Sequence, residues 1–435
     1  MLIEFSLSNY ESYASEQSLS LIASRLKDDH SGRVLNVDPP HKLEVLNSAI
    51  ILGKNGSGKT KLVDAMAFVR RFVRTSSSKY QEGEEIPFTP NLLDTHFRGK
   101  DTQFRIIFSM KEKVYQFEFS FNNERVTSEA LSTADRTVRF RKIYERVFDK
   151  DSGEERYSIS EDLRGEKSTW KASTRHNALF LSTAVQLNAE SLREPFEWLT
   201  KYLRAIDATN TSNYYADYTA RECLESEFKA KILNFLRKLD IDVDDVVVEE
   251  EEFDVDFLKS TFTSEFIQKT IKKGEQKKLK IKFVHKNSEG SPIGFDLSDE
   301  SSGTHALFSL AGPLFDTLKN GYCLVIDEIN TSLHPLVLQT LVDMFSDSNL
   351  NTRRAQLIFT SHDTSLLRDS YFRRDQVWFV DKDRLGRSQL IPLSDYSPRK
   401  GEALERGYLS GRYGGVPAIS PIRIEHLGED VTNAE

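Results

Sequence analysis

The stretch Ile51-Leu52-Gly53-Lys54-Asn55-Gly56-Ser57-Gly58-Lys59-Thr60 constrains this 435-residue chain more than any other. An apolar run passes into glycines and ends in Lys-Thr, which is a strand, a phosphate-wrapping loop and a helix start in that order. Gly53, Gly58, Lys59 and Thr60 fill every fixed position of the P-loop pattern. Glycines let the backbone approach a polyphosphate closely, and the free N–H groups of a helix N-terminus point at its oxygens. Lys54, Asn55, Gly56 and Ser57 complete the cradle. Lys59 is placed to reach the β- and γ-phosphates, and the Thr60 hydroxyl to take one Mg²⁺ position.

A phosphate loop names a ligand and leaves the task open, so composition matters next. With 38% hydrophobic and 29% charged residues, the chain can bury one large core or two smaller ones. Two cysteines, Cys223 and Cys323, match no metal spacing and fit a reducing compartment. No apolar run approaches the length of a membrane span, and Met1 to Ser12 lacks a signal peptide's basic start. A cytoplasmic location and no membrane partner are expected. The net charge of -8 argues against a strongly adhesive, sequence-blind nucleic-acid binder.

Along the chain, Leu2 to Leu7 alternates as a half-buried strand, and Gln17 to Ile22 and Lys42 to Leu52 supply further strand-like runs. A helix is predicted from Lys61 and a loop from Thr75 to Glu85. Phe104–Phe108, Val114–Phe121, Val138–Phe148 and Glu155–Ser158 read as an antiparallel lobe. Leu179–Val185 reads as a short strand, Leu192–Ile206 and Tyr218–Leu239 as helices. The acidic run Glu249–Glu252 and the lysine-rich stretch Lys269–Lys282 carry opposite charges that can pair. No seven-residue apolar repeat is sustained between Lys59 and Leu297, which predicts no long coiled-coil arm.

The second strong block is Tyr322-Cys323-Leu324-Val325-Ile326-Asp327-Glu328, a buried-strand run ending in two carboxylates, as in a Walker B strand. In a nucleotide site Asp327 holds Mg²⁺, and Glu328 orients and deprotonates the attacking water. Just before it, Ser301, Ser302 and Gly303 open a predicted helix from His305 to Leu318, which makes a second anion-binding helix end. Here the chain resembles the ABC class, whose signature serves the nucleotide on another subunit's P-loop. Ser302 and Thr304 depart from the transporter-type signature and are closer to RecF-like and SMC-like heads. Ile329 to Pro335 resembles the D-loop of that class, and His362, ending the strand Gln356–Ser361, its switch histidine. Such a histidine donates to the γ-phosphate and senses its loss. Gln186 is the candidate for the Q-loop residue that touches Mg²⁺.

Taken in order, these motifs and the closing Tyr408-Leu409-Ser410-Gly411-Arg412-Tyr413-Gly414-Gly415-Val416-Pro417 resemble the RloA/AbiL-like ATPases, RecF-related proteins of bacteria. The resemblance implies an α/β ABC-ATPase head with a mixed or parallel P-loop core sheet, an antiparallel β lobe and an inserted helical region. Residues 1–74 and 291–417 are then the two parts of the head, 75–176 the loop and lobe, 177–290 the helical insert with its charged segment, and 418–435 a disordered tail. It also implies ATP and Mg²⁺ as ligands, ATP-dependent dimerisation of heads, and a role in phage defence beside a nuclease encoded nearby. A nucleic acid or phage-derived molecule is the expected trigger.

Asp381 and Asp383 raise the question whether this chain is itself a nuclease. The Asp-Lys-Asp triplet is of the kind a Toprim metal site uses, but Arg384 to Arg387 continue it as a hairpin turn. An Asn-Lys-x-Asp guanine-reading motif is absent, which favours ATP over GTP. The competing function is a RecF-like repair clamp on DNA, whose support is the lysine-rich stretch. A transporter ATPase fits less well, because the long insert from Thr75 to Leu297 is no compact coupling domain.

Overall fold

The structure, a computed structural model, describes residues 1–25, 32–37, 43–134, 139–207, 212–251, 278–399 and 401–417. The chain begins with strands β1 (Leu2–Ser8), β2 (Gln17–Ser20), β3 (Val34–Asn36), β4 (Glu44–Leu46) and β5 (Ser48–Leu52), then helix α1 (Lys59–Lys79). Strands β6 (Thr102–Met110), β7 (Lys113–Phe121), β8 (Val126–Ala134), β9 (Arg141–Asp149) and β10 (Glu154–Ile159) follow. Helices α2 (Lys167–Ser173), α3 (Phe180–Gln186) and α4 (Glu190–Glu197) lead into β11 (Leu203–Asp207), then α5 (Ser212–Glu222) and α6 (Ser226–Lys238). Next come β12 (Asp245–Glu251), β13 (Lys278–Lys286), β14 (Pro292–Asp296) and α7 (Ser302–Asn320). The last elements are β15 (Cys323–Asp327), α8 (Pro335–Ser346), β16 (Gln356–Ser361), β17 (Val377–Lys382), β18 (Ser388–Pro392) and α9 (Leu404–Leu409).

Two sheets carry the fold, and α1 lies between them. The core sheet runs β11-β15-β16-β5-β17-β18. Its pairings are parallel except for the β17–β18 hairpin. Parallel strands are covered on both faces and read as continuous apolar runs, and every residue of β5, β15 and β16 is buried. The second sheet is antiparallel, in the order β10-β9-β8-β7-β6-β1-β2. It presents Phe104, Phe119 and Phe121 to Phe68 and Phe72 of α1, with ring centroids 5.3 to 6.2 Å apart across the cluster. The α/β class, the mixed core sheet, the antiparallel lobe and the helical insert are thus all present. The N-terminal strands β1 and β2 are hydrogen-bonded into the lobe sheet.

Three local expectations are overturned, each by a distant partner. Phe180–Gln186 is helical rather than extended, because the buried Glu129 carboxylate on β8 accepts the N–H groups of Phe180 (2.6 Å) and Leu181 (2.9 Å). The predicted loop from Thr75 starts as the last turns of α1: the Ser182 hydroxyl donates to Val73 O (2.6 Å) and Leu179 N–H to Ser76 Oγ (3.2 Å). The predicted helix to Ile206 stops early, and Leu203–Asp207 pairs in parallel with β15, Asp207 opposite Asp327.

The charged runs meet as their signs suggest. Antiparallel β12 and β13 set Glu249 opposite Lys280, and Lys282 Nζ lies 2.9 Å from Glu249. Lys269 to Lys277 and the tail 418–435 lie outside the described residues. Beneath this small sheet, α7 contains Pro313, which removes the N–H that Ser309 O would receive. Thr219 of α5 repairs the gap, its hydroxyl accepting Gly312 N–H (3.0 Å) and donating to Ser309 O (3.4 Å). Among the described residues no helix is long and apolar enough to cross a membrane.

Candidate functional site

Ligands in open α/β sheets bind beyond the carboxyl ends of the strands. Here β5 delivers the glycine loop, β15 ends at Asp327, and β16 ends one residue before His362. Asn55 to Thr60, Glu328 and His362 line one cavity of about 940 Å³, together with Glu11, Ser12, Thr89, Pro90, Leu92, Leu93 and Lys382.

The loop is braced from behind. Gly53 lies against β17, where a Cβ would stand 2.3 Å from Val380 O. Gly58 has φ +117, and a Cβ there would meet Ser388 Oγ at 2.3 Å, so contact fixes both glycines and conformation fixes Gly58 as well. The Ser388 hydroxyl donates to Ser57 O (2.5 Å) and the Tyr13 hydroxyl to Gly58 O (3.0 Å). Lys54 pairs with Asp381 at 2.9 Å. Burial pushes the Asp381 carboxyl up, but hydrogen bonds from Gly415 N–H, Lys54 and Lys382 N–H outweigh this and hold it below the usual range. Asp383 likewise pairs with Arg387 (2.6 Å), so both carboxylates of the Asp-Lys-Asp triplet are held in ion pairs.

Lys59 is buried and donates to Gly53 O (2.7 Å) and Lys54 O (3.3 Å). Burial lowers its pKa to about 8, with Glu328 and Asp327 opposing the fall. The N-terminus of α1 has no side-chain cap, and the buried Ser57 hydroxyl has no hydrogen-bond partner. Unsatisfied donors around a desolvated cation fit a polyphosphate. The Thr60 hydroxyl and the Asp327 carboxylate are the hard oxygen donors that Mg²⁺ requires.

Opposite the loop, Thr360 organises the acidic pair. Its hydroxyl donates to Asp327 Oδ1 (2.5 Å) and accepts Glu328 N–H (2.7 Å). Glu328 has φ +50, a conformation costly for a side chain with a Cβ. His362 Nε2 lies 3.4 Å from Glu328 Oε1, and Asn330 Oδ1 accepts His362 N–H (3.3 Å). His334 instead caps α8, its Nδ1 accepting Leu336 N–H (3.2 Å).

Ser301, Ser302 and Gly303 do not line this cavity. Ser301 caps α7, its Oγ accepting Thr304 N–H (3.1 Å), and Ser301 and Ser302 are exposed. A Cβ on Gly303 would stand 3.0 Å from Ser332 O, so the Ile329–Pro335 loop backs this helix end.

Gln186 is not brought to the cavity either. It ends α3, exposed, beside the far end of α1: Val73, which Ser182 contacts, is about 20 Å along the helix from Thr60. Strand β11, by contrast, ends with Asp207 opposite Asp327, and residues 208–211 lie outside the described residues. The signal was a five-residue run, Leu203 to Asp207, that helical periodicity absorbs as easily as a strand does.

Among solved structures, the SMC head domain from Thermotoga maritima is similar at 13% identity, covering 90% of this chain and 98% of that one, with a TM-score of 0.39. The recombination mediator protein RecF with ATP is similar at 12% identity, covering 90% and 97%, with a TM-score of 0.34. No curated protein matches. A family model described as "AAA domain, putative AbiEii toxin, Type IV TA system" matches residues 48–368, a span running from β5 through the glycine loop, Asp327 and His362. With a phosphate loop, an acidic strand end and a histidine sharing one cavity, the chain is a P-loop ATPase-type domain and belongs to that AAA_21 family.

Proposed function

We propose that the chain hydrolyses ATP as a RecF-like, ABC-class head, that ATP joins two copies head to tail, and that this closure controls an effector in bacterial phage defence. The observation that carries the reading is the convergence of Lys59, Glu328 and His362 on one cavity. Lys59 exchanges its two carbonyl partners for the β- and γ-phosphates, which relieves its desolvation. Thr60 and Asp327 hold Mg²⁺, which when bound neutralises charge across the phosphates. Glu328, set by Thr360, takes the proton of the attacking water, and His362 donates to the γ-phosphate.

The exposed Ser301–Gly303 helix end supports a shared site, since it does not line its own chain's cavity. Each copy then offers this end to its neighbour's ATP. A Ser301→Arg chain retains nucleotide binding but cannot close the site, and a Lys59→Ala chain loses binding. Mixed, the two regain one working site, and ATPase assays on demonstrated heterodimers read the recovery. An inactive heterodimer overturns the shared site.

The phage-defence role rests on the resemblance to RloA/AbiL-like ATPases, and the matched family's description as a putative AbiEii toxin of a type IV TA system is in keeping with it. The effector is a nuclease encoded nearby, and co-purification from the native host followed by nuclease assay tests it. The DNA-clamp alternative loses support where Lys282 of the lysine-rich stretch pairs with Glu249.

A further inference from the structure

The nucleotide cavity has a wall that none of the phosphate chemistry uses. Leu92 and Leu93 are 57% and 67% exposed, yet they line the cavity beside Pro90. Two adjacent leucines open to water at the mouth of a polar site are the informative kind of exposure, because apolar surface gains by being covered.

The segment that carries them is held firmly. Asn91, fully buried between them and Pro90, donates its backbone N–H to Asn9 Oδ1 (3.1 Å) and its side-chain amide to Glu11 O (2.9 Å), and its Oδ1 accepts Asp94 N–H (2.9 Å). Glu11 N–H donates to Thr89 O (2.8 Å), and Asp94 pairs with Arg387 of the β17–β18 hairpin (3.0 Å). Leu93 rests on that hairpin's turn, where a Cβ on Gly386 would come within 2.9 Å of its Cδ1. The leucines therefore stand in place before any ligand arrives, and a preformed apolar surface costs little ordering entropy on binding.

The cavity's size bears on what covers them. At about 940 Å³ it lies at the upper end of pockets that enclose a whole drug-sized ligand, more than a phosphate chain alone requires. The glycine loop and Lys59 fix where the phosphates sit, so the remaining volume between the loop and Pro90-Leu92-Leu93 belongs to the rest of the nucleotide.

We infer that Pro90, Leu92 and Leu93 form the wall on which the base of the bound nucleotide lies, making this loop a determinant of nucleoside affinity while the P-loop binds phosphate. The inference rests on the P-loop reading, and the test separates the two. Calorimetry with Mg²⁺ compares ADP with inorganic tripolyphosphate, which has no base, on the natural chain, on the double variant Leu92→Ser/Leu93→Ser, and on Lys59→Ala. The double variant is expected to lose about tenfold or more in ADP affinity and to keep tripolyphosphate affinity unchanged. Lys59→Ala is expected to lose both ligands. Unchanged ADP affinity in the double variant, or equal losses for both ligands, overturns the wall while leaving the P-loop reading standing. Retention of both ligands by Lys59→Ala overturns the P-loop reading itself.

Discussion

Two helix N-termini in this chain, both proposed to meet phosphate, are built in opposite ways. At α1 the end is uncapped, enclosed by the cavity, and braced by Ser388, Tyr13 and the Lys54–Asp381 pair. At α7 the end is exposed and self-capped by Ser301, with the Ile329–Pro335 loop behind it. An uncapped end leaves first-turn donors for a ligand to satisfy, whereas a capped end is stable without one. The first suits a resident nucleotide and the second a contact made only on closure. Substitutions at α1 should therefore act on binding by one chain, and those at α7 only on paired chains.

The largest effect that tests this contrast is Glu328→Gln. It removes the proton acceptor and leaves the cradle intact, so turnover should fall by ~10²–10⁴ with ATP binding within a few-fold of normal. Rapid-quench turnover and equilibrium binding measure the two separately. Normal turnover would remove Glu328 from its proposed role.

A smaller loss is expected from Thr360→Val. The hydroxyl that sets Asp327 and receives Glu328 N–H is gone, at nearly constant volume, and a buried donor is left unsatisfied. Turnover should drop roughly 10- to 100-fold, the range typical of residues that orient a metal ligand. Because Thr360 sets only its own chain's acidic pair, a heterodimer with a Ser301→Arg chain should regain one fully working site, built from the Ser301→Arg chain's P-loop and acidic pair and the Thr360→Val chain's Ser301.

What could be read in advance follows the same divide between local and distant causes. The glycine loop, the Asp327-Glu328 strand end and His362 are short motifs whose chemistry is carried by neighbours in sequence, and Asn55 to Thr60, Glu328 and His362 line one cavity. The α/β class was legible because β5, β15 and β16 are unbroken apolar runs. Phe180–Gln186 was misread because its helix is started by Glu129, some fifty residues earlier in sequence. Leu203–Asp207 was misread because an edge pairing with β15 decides its state. Gln186 inherited both errors. Leu92 and Leu93 sit in a loop with no motif, and only Asn91's bonds to Asn9 and Glu11 give them a place.

Proton linkage at Lys59 should be of moderate size. Burial lowers its pKa to about 8 in the free chain, and phosphate contact favours the charged form, so the bound-state value is higher. Affinity is then greatest below pH 8 and falls as pH rises through it, by about tenfold between pH 7 and pH 9. Calorimetry with tripolyphosphate across that range should show the fall together with proton uptake near pH 8. Lys59→Arg, charged throughout, should show neither. A flat profile in the natural chain would mean that the lysine is not desolvated when the site is open.

The smallest effect belongs to Asp381→Asn, which probes whether the α1 end needs its outer brace. The Lys54–Asp381 pair is about a third exposed on each side, so solvent screening limits it to roughly 0.2–1 kcal/mol. Asparagine keeps an acceptor oxygen for Lys382 N–H, removes the charge and turns the other oxygen into a donor. ADP affinity should therefore weaken by no more than about fivefold, and the difference should shrink at high salt as screening weakens the natural pair. A loss well beyond that range would show that Asp381 holds the loop through more than a surface ion pair, with Gly415 as the other anchor. In mixtures, an Asp381→Asn chain should still serve a partner through Ser301 at full strength, since nothing in its α7 end depends on the brace. If that contribution falls as well, the two helix ends are coupled within one chain and the contrast between them is weaker than their geometry suggests.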